Sequence, residues 1–158
     1  RQLLSHSSGL SYGFFDPGTV IFKALNERGV HNPMTTLAQM VDVLADLPLI
    51  YQPGTSWEYS LAIDVVARLV EVISGQGFDK FIKARILDPL GMADTGFVVP
   101  EKDQGRLVAY YAGADLMEPM KPGLTRTDNA PFPGAYLRPI ARLNGGGGLV
   151  STLMRARG

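Results

Sequence analysis

The chain has 158 residues, 46% of them hydrophobic and 19% charged, which fits one globular domain with an ordinary core. Its 15 Lys and Arg residues balance 15 Asp and Glu residues, which argues against a nucleic-acid partner. The absence of cysteine excludes disulfides and thiolate metal sites, and no apolar run reaches the roughly 18 residues that a membrane span needs.

The first part of the chain is predicted to be helical. Residues 1–6 look like the end of a helix, and glycine and proline then break the chain until a short helix near residues 20–28. Thr36 is a candidate N-cap, and Gln39 lies three residues later, where it completes a capping box. A helix with one apolar face should follow this pair.

The strongest helical pattern covers Ala62–Ser74. Apolar residues recur there at the spacing of one helix face, whereas Asp64, Arg68 and Glu71 are expected to point away from it. Gly75 follows as a suitable residue for the end of the helix.

The rest of the chain mixes element types. We expect a helix over residues 78–86, a strand over residues 106–112 and a loop over residues 115–139, where five prolines fall. Residues 145–148 are consecutive glycines, but no lysine follows them as in a phosphate-binding loop. They are therefore interpreted as a site of close backbone approach or a bend.

Two features resemble catalytic sites without fitting them. Residues 9–13 match the G-x-S-x-G pattern around Ser11, but a nucleophile elbow needs a strand before the serine and a helix after it. We interpret Ser11 as part of a turn. His6 is interpreted as a structural hydrogen-bonding residue and His31 as a loop residue, since neither has the carboxylate spacing of a zinc site; no metal site is predicted.

The most informative segment is residues 53–61, with the sequence P-G-T-S-W-E-Y-S-L. A Pro-Gly turn and a short extended stretch bring Tyr59 to the start of the strongest helix. Residues at such junctions are held by a rigid element and often face a cleft. Position alone leaves Tyr59 as a core residue, a rim residue or a catalytic residue.

Residues 3–10, L-L-S-H-S-S-G-L, resemble the L-L-x-H-T-S-G-L signature of the β-lactamase-related serine hydrolases. That family includes class C β-lactamases, D-alanyl-D-alanine carboxypeptidases and family VIII carboxylesterases. Further landmarks stand in the family's order along nearly the whole chain: residues 53–55, Tyr59, residues 74–75, residues 89–92, Thr95 and residues 146–152. The resemblance implies an α+β fold of the β-lactamase/penicillin-binding-protein type, an α/β domain with a helical subdomain.

The resemblance also implies that the chain is an internal fragment of such an enzyme. Residues 1–158 would form a single partial domain, with residues 1–100 mainly helical and residues 101–158 returning toward the missing sheet. The family's Ser-x-x-Lys pattern does not occur in the sequence, so the nucleophile is expected upstream. A Lys-Thr-Gly-like segment is expected downstream, and the fragment alone should be inactive.

The chemistry implied by the resemblance is acyl transfer through a covalent serine ester, without a cofactor. Tyr59 matches the tyrosine of the family's Y-x-N motif, which accepts the proton of the serine. A free tyrosine titrates at about 10, so a tyrosine base that works at neutral pH needs neighbouring cations. Those cations are expected on the missing segments.

Leu61 stands where the family's Y-x-N motif has Asn, and a leucine cannot hydrogen-bond the amide of a substrate. We therefore expect a small-molecule ester as substrate, with Phe132 and Tyr136 either lining an apolar acyl pocket or packing structurally. A β-lactamase or D-alanyl-D-alanine carboxypeptidase that acts on an amide remains an alternative, as does a non-catalytic binding relative. The sequence leaves the particular substrate, the compartment (cytoplasmic or periplasmic/secreted) and the oligomeric state open.

Overall fold

A computed structural model describes residues 1–14, 17–114, 120–127 and 134–153. These residues form four α-helices, one π-helical turn, one 3₁₀ helix and two strands. Their bounds are α1 Val20–Glu27, α2 Leu37–Ala45, α3 Ala62–Ser74, α4 Phe78–Ile82, the π-helical turn Lys83–Leu87, the 3₁₀ helix Glu101–Arg106, β1 Tyr110–Gly113 and β2 Leu124–Thr127. This combination agrees with the predicted α+β class.

The predicted start of α2 and the predicted start and end of α3 are confirmed. The hydroxyl of Thr36 accepts the backbone N–H of Gln39 at 3.2 Å, and the side chain of Gln39 accepts the N–H of Thr36 at 2.9 Å. Helix α3 begins at Ala62 and ends at Ser74, and Gly75 follows in the left-handed region with φ of 67°. Local signals are enough to predict these helix ends, because each cap hydrogen-bonds backbone groups that have no partner within the helix.

The structure differs from the predictions at the start of the chain, after α3 and around the strands, where β1 covers Tyr110–Gly113 rather than residues 106–112. Residues 1–6 form turns, and the helix expected over residues 78–86 is a short α-helix followed by the π-helical turn. The predicted loop over residues 115–139 contains β2, which pairs antiparallel with β1. We did not predict β2 because its sequence, L-T-R-T, is short, polar and flanked by proline and glycine.

The described residues form two compact units. The first unit comprises Arg1–Gly96 and Ile140–Gly158, and it carries helices α1 to α4 and an antiparallel bridge between Gly96 and Val150. The second unit, Phe97–Pro139, carries the 3₁₀ helix and the β1–β2 sheet. The division at residue 100 into a helical and a sheet-directed part stays a prediction. No helix in the described ranges combines the length and the apolar character that crossing a bilayer requires.

The core of the first unit draws its most buried residues from α1, α2 and α3. Its most buried side chains come from these helices and the turn after α1: Leu25, Val30, Leu37, Met40, Ala62 and Ala67. The C-terminal half of α3 is different, because its apolar residues Leu69 and Ile73 are 47% and 77% exposed. The periodic pattern predicted an apolar face along the whole helix. In the structure, only the first turns of that face are buried.

Two distant segments, residues 6–9 and residues 50–58, are joined through their backbones. Three N–H groups donate across this pairing: Ile50 to the carbonyl of Gly9 at 2.9 Å, Gly54 to Ser7 at 2.7 Å and Glu58 to His6 at 2.9 Å. The pairing is close at Gly9, where a Cβ atom would lie 2.4 Å from the carbonyl oxygen of Tyr51. Only glycine fits there, since φ of Gly9 is also +83°.

We expect Gly9→Ala to lower the free energy of unfolding more than the matched control Gly29→Ala does. Both glycines have a positive φ, which costs a non-glycine residue about 1–3 kcal/mol. At Gly29 no atom would lie within 4 Å of the added Cβ, whereas at Gly9 the clash with Tyr51 adds about 1 kcal/mol or more. Urea unfolding of both variants measures the difference, and equal losses would contradict the close pairing.

Candidate functional site

The structure places Tyr59 in a segment without regular secondary structure directly before α3, and the residue is 42% exposed. Its ring lies between two other rings, with centroid distances of 4.8 Å to His6 and 5.3 Å to Tyr12. The rigid start of α3 follows within three residues, so the phenol is accessible and also fixed at its base.

His6 supports the stretch that carries Tyr59. The backbone N–H of Ser60 donates to Nδ1 of His6 at 3.3 Å, and the hydroxyl of Ser60 lies 3.4 Å from the same nitrogen. The hydroxyl of Tyr51 donates to the carbonyl of His6 at 3.4 Å. Since its Nδ1 accepts the amide N–H of Ser60, His6 is a structural hydrogen-bonding residue, as the sequence suggested.

Tyr12 is the second tyrosine of the site. Its ring contacts that of Tyr59, and it stacks on Phe14 with a centroid distance of 4.6 Å. Burial raises the pKa of Tyr12, and the negative charge of Asp64 and the contact with Tyr59 raise it further. Tyr12 therefore keeps its proton and is suited to donate a hydrogen bond.

Gly13, next to Tyr12, is held on both sides by side chains. Its N–H donates to Nε2 of His31 at 2.9 Å, and its carbonyl accepts from Nδ2 of Asn26 at 2.6 Å. A Cβ atom at this position would lie 2.5 Å from Nε2 of His31, so a larger residue would displace the imidazole ring. This contact gives His31, interpreted from sequence as a plain loop residue, a defined role in placing Tyr12.

Asp64 is buried, contrary to the expectation that it points away from the core with the other charged residues of α3. It is 3% exposed, and its Oδ1 accepts the backbone N–H of Gly146 at 3.0 Å. The backbone of Gly145 also favours the charged form of this carboxylate. Burial raises the pKa of Asp64, while these two backbone groups and the charge of Arg142 oppose the rise.

Arg142 is the cation that faces Asp64. It is 3% exposed, and its guanidinium donates to the carbonyl of Val30 and to both the hydroxyl and the carbonyl of Thr35. Burial lowers the pKa of Arg142, and the charge of Asp64 opposes that change. Each donor group of this buried cation thus finds an oxygen partner in the turn after α1.

The glycine loop, residues 145–148, lies against α3 and beside Tyr12. A Cβ atom on Gly145 would lie 2.7 Å from the carbonyl oxygen of Ile63, so no larger residue fits. A Cβ atom on Gly146 would lie 3.6 Å from the hydroxyl of Tyr12 and 3.7 Å from Oδ1 of Asp64. The run of glycines is thus a site of close backbone approach, as the sequence indicated.

The remaining predicted substrate residues are placed as follows. Leu61 is the N-cap residue of α3 and is 3% exposed, so its side chain is in the packed interior. Tyr136 belongs to the second unit, has φ of 64°, and has a pKa raised by burial and by Tyr110. Phe132 lies outside the described residues. Contact of these residues with a substrate stays a prediction.

Ser11 does not have the surroundings of a nucleophile elbow. It is 6% exposed, and its hydroxyl donates to Oε1 of Glu58 at 3.4 Å. Residues 7–14 form bends and turns, and the next helix begins at Val20. Among the described residues, no cluster of three or more His, Asp or Glu side chains could hold a metal ion.

A family model described as Beta-lactamase matches residues 1–155. Among curated proteins, a lovastatin esterase of Penicillium rubens is 38% identical over 68% of the chain and 27% of its own length. Esterase EstB of Burkholderia gladioli is 34% identical over 78% of the chain and 32% of its own length.

Among solved structures, EstCE1, described as a hydrolase with promiscuous acyltransferase activity, superposes with a TM-score of 0.76 at 28% identity. The match covers 96% of the chain and 42% of EstCE1. A D-amino acid amidase of Ochrobactrum anthropi, at 22% identity and a TM-score of 0.60, shows the same fold. The chain spans less than half the length of each of these four proteins.

We expect the stability of the protein to fall as the pH drops below about 6.5, in part because of His31. Burial, and then the charge of Arg142, lower the pKa of His31, whereas Asp64 acts in the opposite direction. The unfolded chain, where histidine titrates at about 6.5, therefore binds the proton more readily than the folded chain. The contribution of His31 is present above this pH and is lost as the pH falls through the lower folded pKa.

The variant His31→Asn, which does not titrate, checks this expectation. Thermal unfolding of both proteins between about pH 8 and pH 5 should show a steeper decline for the wild type than for the variant. Parallel declines would show that protonation of His31 is not linked to folding.

Proposed function

The chain belongs to the β-lactamase family, and we propose that it supplies the tyrosine base of a serine ester hydrolase. The fold is the β-lactamase/penicillin-binding-protein fold. The observation that carries the proposal is the position of Tyr59, whose phenol is accessible and fixed between His6 and Tyr12. A general base must be held firmly and still reach the proton that it removes.

In the proposed reaction, Tyr59 takes the proton from a serine hydroxyl as the serine oxygen attacks the carbonyl carbon of an ester. The serine belongs to a Ser-x-x-Lys segment outside residues 1–158. The proton then passes to the departing alcohol, which leaves an acyl-serine ester. Water attacks this ester, gives up one proton to Tyr59 and releases the acid, and the returned proton restores the serine hydroxyl. The 158-residue segment alone is inactive under this proposal.

An ester substrate is supported by Leu61 and by the relatives. The position has no hydrogen-bonding side chain, so an amide substrate would have an unpaired N–H there. The names of the lovastatin esterase and of EstB point in the same direction. The description of EstCE1 adds acyl transfer, which the same acyl-enzyme performs when an alcohol replaces water as acceptor.

We expect Tyr59→Phe to lower kcat/KM for a short-chain chromogenic ester by about 10²–10⁴-fold in the protein that contains this segment with its natural flanking residues. The change removes only the hydroxyl that transfers the proton. Tyr111→Phe is the matched control, because Tyr111 is an exposed tyrosine on β1 of the second unit. A Tyr59→Phe enzyme as active as this control would contradict the proposal and favour a non-catalytic binding relative.

Leu61→Asn should shift the balance of activities from esters toward amides. An asparagine restores the hydrogen-bonding group for an acyl amide, so turnover of a β-lactam or D-alanyl amide should rise relative to ester turnover. Leu61→Met, which keeps the volume and the apolar character, is the control. An unchanged ratio of kcat/KM values in Leu61→Asn would show that position 61 does not select the substrate class.

A further inference from the structure

We propose that Asp64 is a positioning residue, whose buried carboxylate holds the glycine loop and Tyr12 so that Tyr12 donates a hydrogen bond to the base Tyr59. The proposal rests on the function proposed above for Tyr59. It adds a residue from the interior of α3 whose action reaches the site through Gly146 and Tyr12.

A continuous set of contacts connects Asp64 with Tyr59. Oδ1 of Asp64 accepts the N–H of Gly146 at 3.0 Å. Gly146 in turn lies beside the hydroxyl of Tyr12, since the position of a Cβ atom on Gly146 is 3.6 Å from that oxygen. The ring of Tyr12 lies against that of Tyr59, with a centroid distance of 5.3 Å. Asp64 therefore fixes the loop against which the Tyr12 hydroxyl lies.

The close packing of the loop makes this connection stiff. Gly145 approaches the carbonyl of Ile63, one residue before Asp64 in α3, closely enough that a Cβ would lie 2.7 Å from that oxygen. A loop that is packed this closely and also hydrogen-bonded to a buried carboxylate has little freedom to move away from the helix. A displacement of Asp64 would therefore move the surroundings of Tyr12.

The charge of Asp64 also acts on the proton of Tyr12. It adds to burial in raising the pKa of Tyr12, which keeps this phenol protonated and able to donate a hydrogen bond to Tyr59. A donor to the oxygen of Tyr59 stabilises negative charge on that oxygen. The charged groups that face Asp64 are Arg142 and His31, and both oppose the rise in its pKa that burial causes.

A purely structural role for Asp64 would require the hydrogen bonds but not the charge. Asparagine at this position keeps an oxygen acceptor for Gly146 and removes the negative charge, so Asp64→Asn separates the two roles. Asp42→Asn is the matched control, because Asp42 lies exposed on α2. The protein should be used with its natural flanking residues, and both variants should be compared with the wild type.

Two measurements are needed on each variant: kcat and KM for the ester, and the ultraviolet absorbance of phenolate as the pH is raised. In Asp64→Asn we expect one tyrosine to ionise at lower pH than in the wild type, and kcat to fall on the order of 10- to 100-fold with a smaller change in KM. Adding Tyr12→Phe to Asp64→Asn should remove the shifted ionisation. Asp42→Asn should match the wild type in both measurements.

If Asp64→Asn does not fold, Tyr12→Phe alone tests the positioning role. This substitution keeps the aromatic ring and removes only the hydroxyl that donates the hydrogen bond. We expect a loss of kcat similar to that of Asp64→Asn. If Tyr59→Phe is inactive while both Asp64→Asn and Tyr12→Phe retain the control's kcat and titration, the positioning role is overturned and the proposed function stands. A fully active Tyr59→Phe would overturn the proposed function, and this inference with it.

Discussion

The site depends on the backbone pairing between residues 6–9 and residues 50–58. These hydrogen bonds hold the start of the chain against the segment that carries Tyr59. The ring centroids of His6 and Tyr59 are then 4.8 Å apart. The pairing is possible because Gly9 has no Cβ to meet the carbonyl of Tyr51. Helix α3 then fixes the other end of the stretch, so both flanks of Tyr59 are held while its side chain stays accessible.

A second set of polar contacts joins parts of the chain that are far apart in sequence. Arg142 binds the turn after α1 through Val30 and Thr35, and Asp64 binds the backbone of Gly146. Burying charged groups costs free energy that their partners offset only with good geometry, so such contacts define an arrangement more than they add stability. Here the defined arrangement is the position of the glycine loop relative to α3 and Tyr12.

The sequence predicted those features that depend on neighbouring residues. The capping pair Thr36 and Gln39 and the bounds of α3 follow from local hydrogen bonds and periodicity, and the structure confirms them. The burial of Asp64 was missed because helical spacing puts it on the charged side of α3, and only its contact with Gly146, 82 positions later, explains it. The sequence also did not predict Tyr12 as a site residue, because the G-x-S-x-G pattern of its segment points to Ser11 and not to the neighbouring aromatic ring.

In the proposed function, Tyr59 faces the serine that carries the acyl group. The most direct test is a crystal structure of the protein, with its flanking segments, after reaction with a phosphonate ester that labels nucleophilic serines. We expect the phosphonate on a serine of a Ser-x-x-Lys segment, with that serine oxygen about 3 Å from the hydroxyl of Tyr59. A label on Ser11, or a labelled serine beyond hydrogen-bond reach of Tyr59, would contradict it.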